Sequence, residues 1–147
     1  MTYYEWVNYI EGLTNKSITD EDIKKINEST FDYPVDIMVR ITDHYINVIL
    51  KKLNEAEDNL INNLDKIKSP HELTLQINDI KETLKDVNKL LTIKLFDEEL
   101  LNYLKENIFN YSNGYIDIIK KHYKGNTSSE YAIILNNLKF MEVKWII

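Results

Sequence analysis

Apolar residues recur every three or four positions over almost the whole chain, the spacing that lines one face of an α-helix. Tyr3, Trp6, Val7, Ile10 and Leu13 outline a short first helix that Gly12 ends. Thr19 opens a second as its N-cap, with Asp22 reaching back from three residues on and Ile23 and Ile26 as its apolar face. Phe31, Asp32, Tyr33 and Pro34 read as a turn, and Pro34 sits in the first turn of a third helix over about 35–67, on the order of 50 Å long. In its first half Val35, Ile37, Met38, Val39, Ile41, Tyr45, Ile46, Val48, Ile49 and Leu50 surround most of the circumference, as in a helix covered on several sides. From Leu53 onward only Ala56, Leu60, Leu64 and Ile67 continue, a narrow stripe.

Ser69, Pro70 and Glu72 then restart a helix as N-cap, N1 and N3. Leu73, Ile77, Ile80, Leu84, Val87 and Leu91 follow as an unbroken heptad. Asp97 caps a fifth helix with Leu101, Leu104, Ile108, Tyr111, Tyr115, Ile118 and His122 in register. Because that register passes through Ser112, Asn113 and Gly114 in phase, a continuous helix is expected there. A loop begins at Gly125, and Tyr131, Ile134, Leu138, Met141 and Trp145 mark a sixth helix.

The three glycines and two prolines fall mostly at helix ends, and no repeat or linker interrupts the pattern. The expected fold is all-α: an up-down antiparallel helical bundle of long helices, with two short N-terminal helices packed on one end. It forms a single helical domain over 1–147, with the short helices in 1–33 and the bundle in 34–147. The short helices are expected to lie on the apolar collar at Val35–Leu50, and the bundle to hold together without them.

Composition narrows the chemistry. A chain of 147 residues without cysteine has no disulfide, thiolate ligand or cysteine nucleophile, and fits a reducing cytoplasm. Its start lacks the basic and apolar stretches of a signal peptide, and no run is apolar enough to span a membrane. The Asn-x-Ser/Thr triplets at Asn15, Asn27, Asn110 and Asn126 read as chance in so Asn-rich a sequence. Seventeen Lys against one Arg, with abundant Ile, Asn and Tyr, suggest a low-GC bacterium or one of its mobile elements or phages. The lone guanidinium, Arg40, also limits bidentate phosphate or guanine readout.

Charge is unevenly placed. Residues 1–36 hold three lysines and eight carboxylates, a net of −5, whereas the other 111 residues total −1. The same quarter carries Tyr3, Tyr4, Trp6, Tyr9, Phe31 and Tyr33. With Tyr3, Trp6, Val7 and Ile10 turned to the core, Tyr4 and Tyr9 fall beside Glu5, Asn8 and Glu11.

Asp36, Arg40, Asp43, His44 and Asn47 form a polar strip on the third helix, either an anion site with His44 as base or a self-neutralising Asp-Arg pair with a satisfied histidine. The pair reading is adopted. The string from Arg40 to His44 resembles the Arg-to-His motif of HEPN ribonucleases, small helical proteins. It falls short of that motif's spacing and has Ile41 where a polar residue follows the Arg, so a ribonuclease is only a third reading. Glu-x-x-His and His-x-x-x-His pairs are absent, and His122 is expected at the core edge. Three scattered glycines make no phosphate-cradling loop, and Glu98 and Glu99 suit the first turn of their helix structurally.

Lys51/Lys52, Lys66/Lys68, Lys81/Lys85/Lys89 and Lys120/Lys121/Lys124 are basic clusters interleaved with acids, read as solvated faces. The resulting expectation is a non-enzymatic, cytoplasmic protein-binding module of the inhibitor, immunity, antitoxin or adaptor type, with no metal or cofactor. It would bind a basic partner protein through Tyr4, Glu5, Tyr9, Glu11, Asp20 and Glu21, because exposed aromatics supply contact area and carboxylates steer encounter. The alternative is a nucleic-acid-linked transcriptional regulator using the Lys81/Lys85/Lys89 stripe; homodimerisation is open in both.

Overall fold

The computed structural model describes residues 2–29, 34–94, 97–124 and 129–138. The expected turn at Phe31, Asp32 and Tyr33, the loop from Gly125, and Met141 and Trp145 lie outside them. The described residues form six α-helices and one 3-10 turn: α1 (Tyr3–Gly12), the turn Leu13–Asn15, α2 (Asp20–Ser29), α3 (Val35–Leu64), α4 (Pro70–Leu90), α5 (Glu98–His122) and α6 (Ser129–Asn136). There is no strand among them. The fold is an all-α bundle of long helices with short N-terminal ones, as the hydrophobic pattern implies.

Local chemistry fixes most boundaries. Thr2 Oγ1 accepts from the Glu5 N–H at the start of α1. Asp22 closes the capping box, its N–H donating to Thr19 Oγ1 while its Oδ2 accepts from the Thr19 N–H. Ser69 Oγ accepts from the Glu72 N–H, and Glu72 reaches back one residue further than a standard box, to the Lys68 N–H. Asp97 Oδ1 accepts from the Leu100 N–H. α3 ends at Leu64, before the expected Ile67, which is half-buried in the connection.

α3 is the spine, contacting α1, the 3-10 turn, α4 and α5, while α6 packs on α4. Cross-helix contacts give the directions. Tyr111 Oη meets Asn54 and His122 meets Asp65, an equal advance on both helices, so α5 runs parallel to α3. Contacts from Glu11 to His44 and from Thr14 to Lys52 set α1 parallel to α3 as well. α2 runs with α4: Ile18 lies beside Asp86 and Asn27 beside Lys94. The chain therefore goes up and down from its first helix.

Two expectations need correction. α2 packs on α4 rather than on the Val35–Leu50 collar, which leaves Val35 and Val39 81% and 57% exposed. Trp6, Ile10, Leu13, Ile18 and Ile26 are buried in the same core as Leu60 and Leu104. On α5 the buried line is Leu104, Ile108, Ser112, Tyr115 and Ile119. An α-helix drifts against a strict seven-residue repeat, so Ile118 turns to the rim and His122 is exposed.

α5 passes unbroken through Gly114, and a Cβ built there meets nothing within 4 Å. Gly114→Ala should therefore stabilise the protein by about 0.5–1 kcal/mol through reduced backbone entropy in the unfolded chain. Chemical denaturation checks this; a loss of stability would contradict the continuous helix.

Candidate functional site

The acidic N-terminal quarter is a helical pair, α1 and α2, laid along α3 and α4. Its inner side is a polar network centred on Asp22, only 6% exposed. Oδ1 accepts from Tyr9 Oη at 2.6 Å and Lys16 Nζ at 2.8 Å; Oδ2 accepts from the Thr19 N–H and hydroxyl. Burial alone would raise this carboxyl's pKa. The donors from Lys16, Tyr9 and Thr19 outweigh it and hold the group well below the usual carboxylate range. Burial and the bond to Asp22 push the Tyr9 hydroxyl up.

A second set of contacts fastens the segment 14–18 to the bundle. Lys52, buried on α3, donates from Nζ to the carbonyls of Lys16 (2.9 Å) and Thr14 (3.3 Å), with Asp86 at 4.0 Å. Asp86 Oδ1 accepts from the Ile18 N–H, and Lys89 Nζ donates to the Ile18 carbonyl. Burial pulls the Lys52 pKa down, opposed by Asp86 and Glu55.

This geometry sorts the six residues singled out in the sequence. Tyr4 is 79% exposed, its ring edge-on to Tyr3 at 5.8 Å. Glu5 and Glu21 are exposed. Glu11 lies 3.7 Å from His44 on α3, and Asp20 lies 4.0 Å from Lys89 on α4. The two carboxylates thus flank the pair on opposite sides rather than forming one patch. Tyr9 is reassigned: stacked on Trp6, bonded to Asp22 and covered by the Lys25 ammonium at 4.2 Å, it is an internal strut.

The Arg40 strip also differs from expectation. Asp36, Arg40, Asp43 and Asn47 are all exposed, and among the described residues Arg40 has no carboxylate within ion-pair distance. His44 faces Glu11 instead of a partner on its own helix. The expected Asp36–Arg40 pair does not form, because both side chains extend into water where such pairing gains little. The Lys81/Lys85/Lys89 stripe loses Lys89 to the Ile18 carbonyl.

Sequence reasoning missed Ile18 and the roles of Lys52, Asp86 and Lys89. Only Lys52 carried a signal: it continues the Ile41, Tyr45, Val48 register toward Ala56, a lysine at a core position.

Among the described residues no group of three or more His, Asp or Glu side chains is placed to hold a metal, and no helix is long and apolar enough to cross a membrane. A groove of about 470 Å³ runs between α2 and α4 over Ile23, flanked by Asp20, Glu28 and Lys89. Comparison with family models, curated proteins and solved structures found no match.

Because the folded pKa of Asp22 lies below its ordinary value of 3.8, its contribution is fully present above pH 3.8 and is lost as pH falls below it. Asp22→Asn should cost about 2–3 kcal/mol at neutral pH. The gap between variant and wild type should narrow as unfolding is measured below pH 3.8. A gap that stays constant with pH would show that Asp22 acts by packing alone.

Proposed function

We propose that this protein works without catalysis, as a module that binds another protein's basic surface through the outer side of α1 and the first turn of α2. An inhibitor, immunity-type or adaptor role in the cytoplasm of a bacterium fits this reading. The observation that carries it is the distribution of exposed charge. Within the described part of residues 1–36 the buried carboxylate, Asp22, is neutralised by Lys16. Glu5, Glu11, Asp20, Glu21, Glu28 and Asp36 are exposed, against exposed Lys24 and Lys25, with His44 beside Glu11 and Lys89 beside Asp20.

Tyr4 supplies what charge cannot. An exposed tyrosine has few rotatable bonds and an amphipathic ring, so it adds contact area at low entropic cost. The carboxylates around it act at a distance, mainly on the association rate, and are screened beyond roughly 8–10 Å at physiological salt. The rigid seating of α1 and α2 on the core fixes the geometry of this surface before a partner arrives. The competing use of the α4 lysine stripe loses support, since Lys89 is occupied in holding Ile18.

The test is capture from the producing cell followed by kinetics with the captured basic protein. Changing Glu5, Glu11, Asp20 and Glu21 together to Lys should slow association at least about tenfold. Tyr4→Ala should instead speed dissociation. If the partner is retained by the reversed protein and lost on Lys81→Glu with Lys85→Glu, the working surface is on α4 and this reading fails.

A further inference from the structure

The parallel course of α3 and α5 gathers lysines that are far apart in sequence. α3 ends at Leu64, and Lys66 and Lys68 follow in its connection to α4. α5 ends at His122, with Lys120 and Lys121 in its last turn and Lys124 just beyond. His122 Nδ1 lies 3.8 Å from Asp65 Oδ1, which puts both helix ends at one end of the bundle. All five lysines are exposed.

Two acids at this end have partners, while Asp117, one turn before Lys121 on α5, is exposed. Asp65 faces His122, and Glu72 accepts from the Lys68 backbone N–H at 2.8 Å. Among the described residues none of the five lysines has a carboxylate within 4.0 Å. The dipole of α5 favours cations here, which accounts for Lys120 and Lys121 in its last turn; α3 has no basic residue in its own last turn. That dipole does not account for Lys66, Lys68 and Lys124, which stand past the helix ends.

Overall acidity does not cancel this patch. α3 is 30 residues, or about 45 Å, and the first-turn carboxylates of α1 (Glu5) and α3 (Asp36) lie at its other end. That separation is several times the screening length of about 8 Å at physiological salt. The two ends therefore meet their ligands independently.

We propose that the lysine end binds the phosphate backbone of a nucleic acid, without reading sequence. An acidic protein is a poorer match. A protein interface needs an apolar or aromatic centre; no large hydrophobic side chain is exposed within 65–72 or 120–124, and the nearest in sequence are Ile61 and Leu75, each 50% exposed. Ammonium groups on flexible stems contact phosphates as point charges, and without an arginine at this end there is no bidentate fork to select a base. This surface is separate from the acidic one, and neither proposal depends on the other.

The experiment is fluorescence anisotropy of a short labelled single-stranded oligonucleotide, at about 50 and 200 mM salt. The expected result is saturable binding whose affinity falls with salt at a log–log slope of about −2 to −3.5, three to five phosphate contacts. Lys66→Glu, Lys68→Glu and Lys120→Glu together should weaken it at least tenfold. Because charge reversal at a helix C-terminus can destabilise, the same three positions changed to Gln should weaken binding and flatten the slope, with melting unchanged. Lys81→Glu with Lys85→Glu should have little effect. No saturable binding at the lower salt, equal loss in the α4 control, or equally tight binding of polyglutamate would each overturn the proposal.

Discussion

The apolar stripe of α3 changes direction along its length, and the need to cover all of it organises the molecule. Ile41, Tyr45 and Val48 lie in the half flanked by α1 and the 3-10 turn, while Leu53, Ala56, Leu60 and Leu64 continue into the half flanked by α4 and α5. No single neighbour spans a helix about 45 Å long, so two sets of helices share it. Where they meet, Lys52 is the buried polar group that must be satisfied. It takes the carbonyls of Thr14 and Lys16, and so decides where the chain between α1 and α2 lies. Burial of an ammonium is costly unless its hydrogen bonds are made, which makes this junction specific rather than merely adhesive.

The same junction orients the outer surface. With Asp22 drawing Tyr9, Lys16 and Thr19 together, α1 and α2 turn Glu5, Glu21 and Tyr4 outward. The parallel run of α1, α3 and α5 also separates charge. The acidic first turns of α1, α3 and α5 collect at one end, and Lys66, Lys68, Lys120, Lys121 and Lys124 at the other. Helix-terminus electrostatics accounts for the first-turn acids and for Lys120 and Lys121; Lys66, Lys68 and Lys124 add to the basic end beyond it, and the molecule has two chemically opposed ends.

Elements were legible in the sequence because their signals are local. Thr19 with Asp22, Ser69 with Glu72, and Asp97 each mark a helix start through bonds made within three residues. The heptad from Leu73 to Leu91 is buried throughout. What escaped the sequence depended on partners far along the chain. Tyr9 looked free because its acceptor is on another helix, and Lys89 looked like one of a solvated stripe because the Ile18 carbonyl is 71 residues away. The basic end was hidden for the same reason: Lys66 and Lys120 become neighbours only once α3 and α5 are known to run parallel. Apolar periodicity on the first half of α3 also overstated its cover, since Val35 and Val39 extend past the helices that shield Ile41.

The central structural claim is that α1 and α2 belong to one cooperative core with α3. Native-state hydrogen exchange across a denaturant series tests it most directly. Amides of Ile10 and Ile26 should exchange through the same global opening as those of Leu60 and Tyr115, with matching free energy and denaturant dependence. Exchange of the α1 and α2 amides through a separate opening of lower free energy, while α3 to α5 stay protected, would contradict it.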